Sequence, residues 1–479
     1  MKKNFIIFAA LMLTATFGAA EIAKAADVTV GGQLFTRYEV NEHGSTASTS
    51  RNDFNDDTQA SDLVLQRTVV DVKAKINDTT SAFIQLQSNR QWAAGDDNTS
   101  GSNDSSFSPN DSGNSVGVHE AYFTLKNFAS LPVDAKIGRQ EIILDGHRLF
   151  GDTLWTMGQT SHDAVRFDHS HDNLHIMGSY ILASEAGLAT ATNLINQTDV
   201  ESYLLHANYK GLLGGQLSVI YNWLNDPCGS PTGAICSKAN AVGNDIHTIG
   251  FRQAGNMFGL DYRGEYYYQW GDGTQDAQNV GGALRTSDTP AGATADRDAY
   301  MFGVRIGKSF NNVNMKPSLT VWYDYLSGSS DEDLTGADAS YNSFNTLFDT
   351  GHKFYGLQDL FLGVGGGSAT AGTAGMGLQD LAIKAKVSPM PGWTVKADYH
   401  WFSTAEGVQG SPRAGLNGDR TQDNALGNEL DITVVNKYNA NTKVMIGFSN
   451  FSNTKTFRDL RTVKGGSANW AYLQFDVQF

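Results

Sequence analysis

Apolar and polar side chains alternate, position by position, through about eighteen short stretches of this chain. Between Phe258 and Trp270 one face carries Phe258, Leu260, Tyr262, Tyr266, Tyr268 and Trp270, and the other Asp261, Arg263, Glu265 and Gln269. Tyr300, Phe302, Val304 and Ile306 oppose Gly303, Arg305 and Ser309 in the same way, and Val395, Ala397, Tyr399 and Trp401 oppose Lys396, Asp398 and His400. The last stretch sets Ala471, Leu473, Phe475, Val477 and Phe479 against Gln474, Asp476 and Gln478. A period of two is that of a β-strand whose two faces meet different surroundings. A soluble β-sandwich shares that period, so alternation alone leaves two architectures open.

Connector length separates them. The segments 41–62, 91–115, 142–161, 226–244, 271–297, 328–378 and 405–426 are long and rich in Gly, Ser, Asn, Asp and Thr, whereas 77–79, 211–214, 254–256, 389–391 and 439–441 are short turns. Long and short connections in strict alternation predict an all-β fold: a transmembrane antiparallel β-barrel of about 18 strands, with long extracellular loops and short periplasmic turns. Aromatic residues near the strand ends fit the interfacial girdles of such a barrel. A barrel of this width encloses a water-filled passage.

The amino terminus agrees with export. Lys2 and Lys3 precede an apolar run over 5–13, and Ala23-Lys24-Ala25 fits a cleavage site, so 1–25 reads as a signal peptide and 26–479 as one barrel domain in the outer membrane. The apolar run is too short to cross a bilayer as a helix. Cleavage takes the formal charge from −15 to −17. Mean hydropathy is negative, and an acidic chain of this kind offers nothing to nucleic acid. Cys228 and Cys236 share one proposed outer loop and pair as a local disulfide in an oxidising compartment.

Charge changes the picture mainly on the inward face. Much of the acidic excess falls in loops (Asp53, Asp56, Asp57, Asp96, Asp97, Asp331, Glu332 and Asp333), where a solvated surface accounts for it and no EF-hand pattern calls for calcium. By strand phase, Arg37, Lys73, Lys75, Arg166, Arg252, Arg263, Arg305, Lys384, Lys386, Lys396, Lys437 and Lys443 point inward. So do Glu39, Asp71, Asp168, Asp261, Glu265, Asp398, Glu429, Asp431 and Asp476. Two readings of this inventory stand side by side. The groups pair into ladders that stiffen the wall, or unpaired guanidinium groups remain and hold an anionic solute through bidentate hydrogen bonds.

Enzymatic chemistry finds little footing. His169, His171 and His175 lack a paired acid at metal-site spacing, no Gly-x-Ser-x-Gly elbow is present, and the glycine-rich stretch 363–377 lacks the Gly-Lys-Ser/Thr of a phosphate loop. No cofactor is implied.

Gly138-Arg139-Gln140-Glu141, continued by Asp145-Gly146-His147-Arg148-Leu149, resembles a segment of the alginate export family of outer-membrane channels. Asp163-Ala164-Val165-Arg166-Phe167 resembles its next strand. Asn345-Thr346-Leu347-Phe348-Asp349-Thr350-Gly351-His352-Lys353-Phe354-Tyr355-Gly356 is similar to its long-loop motif. Leu426-Gly427-Asn428-Glu429-Leu430-Asp431 and the terminal segment 471–479 also fit; Asp349 departs from the pattern, which has proline there. The resemblance implies an eighteen-stranded monomer whose narrow, arginine-rich passage conducts an anionic polysaccharide out of the periplasm, served by periplasmic export machinery.

Carried onto this chain, the resemblance nominates Arg139, Arg148 and Arg166 for the selectivity zone. Arg139 shares phase with Val133, Ala135 and Ile137 and reaches the lumen only across a β-bulge. Strand phase alone adds Arg263, Arg305, Arg252 and Lys396. Three function classes follow: an export channel for an acidic polysaccharide, a general or anion-preferring diffusion porin, and a structural or adhesion barrel in which 328–378 plugs the lumen or binds outside. The partners expected are outer-membrane lipid and either an anionic polysaccharide or small anions.

Overall fold

The computed structural model describes residues 27–42, 61–92, 116–184, 199–226, 244–274, 294–333, 340–362, 372–411, 416, 418–461 and 465–479. Each alternating stretch is a strand hydrogen-bonded to its sequence neighbour, from Asp27–Asn41 through to Ser467–Gln478. The first and last strands pair antiparallel, from Gln33 opposite Gln478 to Asn41 opposite Trp470, so the sheet closes. Eighteen staves form the barrel; a two-residue segment, Ser340–Tyr341, adds a short parallel bridge beside Thr294–Ser309. Closure leaves no strand edge unpaired, which is what a sheet in lipid requires.

The phase read from sequence is the phase observed. Val30, Leu34, Ile84, Leu205, Ile249, Phe251, Val304, Ile306, Val321, Ile383, Ile446 and Phe448 are exposed on the outer face, a lipid-facing apolar band. Arg37, Glu39, Arg263, Glu265, Asp324, Asp380, His400 and Glu429 are buried toward the bore.

One proposed turn is displaced. Residues 254–256 belong to strand Asn244–Met257, and the chain reverses at Phe258 and Gly259, both with positive φ (55° and 73°). Gly255 stands opposite Gly215, where an added Cβ would lie 2.7 Å from the facing Cα. It serves close strand approach, not reversal. Strands Leu260–Thr274 and Thr294–Ser309 also run into the proposed loop 271–297.

Two long connections fold inward. Segments 141–161 and 342–362 meet inside the bore, where Phe348 N donates to Leu149 O (2.9 Å), Gly151 N to Phe348 O (2.9 Å) and Thr350 N to His147 O (3.1 Å). Around them an apolar core fills part of the lumen. Inward-facing Phe402 and Phe451 pack on Phe361 and on Phe457 of the short helix Lys455–Arg461, with ring centroids 4.5–6.3 Å apart. The bore is therefore not wet throughout. Burying such a phenylalanine stabilises the inward fold by about 1.5–3 kcal/mol per side chain.

Candidate functional site: a loop across the bore

Segment 141–161 is held at both walls. On one side Arg37 Nη1 donates to Trp155 O (2.9 Å), Arg67 Nη1 to Thr156 O (2.9 Å) and Leu154 O (3.2 Å), and Arg37 lies 4.2 Å over the Trp155 ring. Those arginines sit on the first two strands. About half-way round the ring, Arg148 reaches Glu265 (3.1 Å), Asp324 (2.5 Å) and the Tyr355 hydroxyl (2.7 Å). Asp145 accepts from Ser218 Oγ (2.5 Å) and pairs with His206 (3.0 Å). The segment spans the lumen as a crossbar.

Strand register explains the Arg148 anchorage. Glu265, Gly303 and Asp324 form one rung across three neighbouring strands. A Cβ on Gly303 would lie 2.6 Å from Asp324 Oδ1 and 3.0 Å from Glu265 Oε1, so the missing side chain lets both carboxylates converge on one guanidinium. Gly303→Val is expected to push them apart and weaken crossbar docking, read as faster proteolysis within 141–161 in the detergent-folded protein; wild-type protection would contradict this.

The next rung brings further arginines beside this anchorage. Arg263 and Arg305 stand directly opposite one another on adjacent strands, and Arg305 faces Trp322. Arg263 lies 3.7 Å from Glu265, Arg305 3.7 Å from Asp324 and Arg252 4.0 Å from Glu265. Four guanidinium groups thus share two carboxylates, a local surplus of positive charge. Like charges directly opposed across strands destabilise a sheet. The Nε and Nη2 atoms of Arg263 and Arg305 are buried with no hydrogen-bond acceptor among the described residues. Lys353, on the second inner loop, adds a cation near them; burial first, and then the Arg263 charge, hold its ammonium below the ordinary lysine range.

A cavity of about 370 Å³ continues from this point. His147, Trp155, His352 and Lys353 line it from the loops, and Lys384, Lys396, Asp398 and His400 from the wall.

The sequence-nominated residues divide accordingly. Arg252, Arg263 and Arg305 come together, and Lys396 lines the adjoining cavity. Arg148 is the crossbar's anchor, 1 % exposed and fully engaged, not a free cation. Arg166 is occupied by Asp168 through three hydrogen bonds of 2.7–3.1 Å. Arg139 is a correction: no bulge interrupts its strand, and it faces Asp163 (3.2 Å) on the outward phase. Cys228 and Cys236 fall outside the described residues. His169, His171 and His175 have separate partners in Pro132 O, Asp172 and Asp168, and no cluster among the described residues fits a metal ion. Sequence reasoning missed Lys353 and Arg67. Lys353 sits in the Gly351-His352-Lys353 motif, which could have flagged it had that loop been placed inside the bore.

Asp349 gives the second inner loop a pH dependence. Burial pushes its carboxyl up to about 7, against the opposing pull of the Thr346 hydroxyl (3.1 Å) and the Arg148 charge. A folded pKa above the unfolded value means the docked loop binds more protons than the released one. Docking therefore weakens as pH rises from about 4 to about 7 and then levels off. Current fluctuations should increase over that range and flatten in Asp349→Asn; equal pH dependence in both proteins would contradict this.

Comparison with known proteins agrees with the geometry. The family model described as alginate export matches residues 27–469. Among solved structures, OccAB1 of Acinetobacter baumannii aligns over 95 % of this chain and 98 % of its own, at 14 % identity and TM-score 0.54. OccK8 (OprE) of Pseudomonas aeruginosa aligns over 95 % and 98 %, at 11 % identity and TM-score 0.52. A BenF-like porin from Pseudomonas fluorescens Pf-5 aligns over 95 % and 99 %, at 10 % identity and TM-score 0.52. At such identity these likenesses speak for the barrel alone. No curated protein matches the sequence. The chain belongs to the alginate export family, as an outer-membrane β-barrel channel and not an enzyme.

Proposed function

We propose that this channel passes an anionic, uronate-type polysaccharide from the periplasm to the outside, with the crossbar narrowing the bore and the Arg252–Arg263–Arg305 cluster selecting carboxylates. The observation that carries this reading is the opposed pair Arg263 and Arg305, whose buried Nε and Nη2 groups lack acceptors among the described residues. A planar guanidinium presents paired donors that match a carboxylate. Such a pair serves a passing anion better than it serves the wall.

A second reading, an anion-preferring diffusion porin for small solutes, is favoured by the crossbar itself and by likeness to the BenF-like porin. Single-channel recording with oligomannuronate separates the two. The export reading expects voltage-dependent block with dwell times that lengthen with chain length. Chain-length-independent exclusion with free passage of monouronate would favour the porin.

A further inference from the structure

The periplasmic rim carries a basic arc that the constriction does not account for. Strands Leu378–Val387, Trp393–Ser403, Ala425–Lys437 and Thr442–Asn453 are joined by the short turns 388–392 and 438–441, which contain no acidic residue. Their inward positions near those turns hold Lys384, Lys386, Lys396, Lys437 and Lys443. Two carboxylates lie at this level. Asp398 is taken by Lys384 (2.9 Å), and Asp476 by Lys443 (3.6 Å) and Gln33 Nε2 (2.7 Å). Lys386, Lys396 and Lys437 are exposed and have no ion pair among the described residues.

Register sharpens the point. Lys386 stands directly opposite Lys396, and Lys437 directly opposite Lys443. Each opposed pair costs the sheet stability. Elsewhere on the rim some charges are matched: Lys75 pairs with Asp78 and Arg166 with Asp168.

The arc is continuous with the passage. Lys384 and Lys396 line the same cavity as Lys353, whose field includes Arg263 and Arg252. A cation track therefore runs from Lys437 and Lys386 at the rim, through Lys396 and Lys384, to Lys353 and the constriction.

We infer that Lys386, Lys396 and Lys437 form a capture site on the periplasmic rim for a carboxylate-bearing oligosaccharide chain, upstream of the constriction. This rests on the export reading and extends it. Spaced, hydrated ammonium groups on neighbouring strands act weakly on a single small anion and additively on a chain with many charges. Their effect is on access: a charged rim raises the local concentration of an opposite polyion and its entry rate, and salt suppresses both.

The test uses the full-length protein inserted in one orientation in a planar bilayer. Hexamannuronate is added to one side at a time, with maltohexaose as a neutral control. In about 0.1 M salt, Lys386→Glu with Lys437→Glu is expected to slow block from the periplasmic side by about tenfold. Block from the outer side and the zero-current potential in a KCl gradient should stay close to wild type. Lys386→Gln with Lys437→Gln should fall between, and high salt should erase the differences.

An unchanged periplasmic on-rate in both variants overturns the capture site while leaving the export reading intact. Equal slowing from both sides also overturns it, because the charge would then act along the whole bore. Block of wild type by maltohexaose as fast as by hexamannuronate overturns it too. Wild type unblocked by hexamannuronate from either side counts against the export reading itself. Unchanged heat-modifiability on gels shows that the variants are folded.

Discussion

Arg148→Ala is expected to open the bore. Arg148 holds the crossbar through its close contacts to Glu265 and Asp324, both fully buried, and its removal leaves those carboxylates only the longer 3.7–4.0 Å pairings with Arg252, Arg263 and Arg305. Breaking a buried ion pair from one side costs about 3–5 kcal/mol. That cost falls on the docked loop alone, because the strands keep their lipid-side packing and hydrogen bonds. At that full cost the ratio of docked to released loop drops by roughly two to four orders of magnitude. Single-channel conductance should rise several-fold, and segment 141–161 should become open to protease. Wild-type conductance in Arg148→Ala would show that the apolar core and the Arg37–Arg67 clamp suffice to hold the loop.

The second large effect concerns selectivity. Reversing Arg263 and Arg305 to glutamate should turn the constriction from anion- to cation-preferring. At about 5 Å and an effective dielectric of about 20, one unit charge acts on a passing ion by roughly 3 kcal/mol before salt screening. Two reversals far exceed the preference that needs overcoming. Arg166→Glu should have a much smaller effect, because Arg166 is already matched by Asp168. Bi-ionic potentials of the two variants check both statements. An unmoved potential in the double reversal would remove Arg263 and Arg305 from the selectivity zone.

Much of the wall was legible in the sequence, and for a physical reason. Lipid outside and charge inside impose a period of two on every stave, and the aqueous ends impose long and short connections. Phase therefore placed Arg252, Arg263, Arg305 and Lys396 inward. It also put Arg139 with Ala135 and Ile137, and the family motif misled where phase was right. The turn near residue 255 was not legible, because glycine signals both reversal and close strand approach. What fills the bore was hidden for a different reason. Inward-folded loops are held by contacts between residues far apart in sequence, such as Arg148 with Asp324 and Phe361 with Phe451, and no local pattern encodes them. A polar-looking loop motif thus concealed Lys353 within the passage. Arg148, nominated for the selectivity zone by its motif, is an anchor because its two carboxylates stand on one rung with Gly303.

The zero-current potential of the wild-type channel in a KCl gradient tests the central claim most directly. Four guanidinium groups sharing two carboxylates beside the crossbar predict a potential displaced toward chloride equilibrium, most strongly at low salt. A potential near zero, or one displaced toward potassium, would contradict the account.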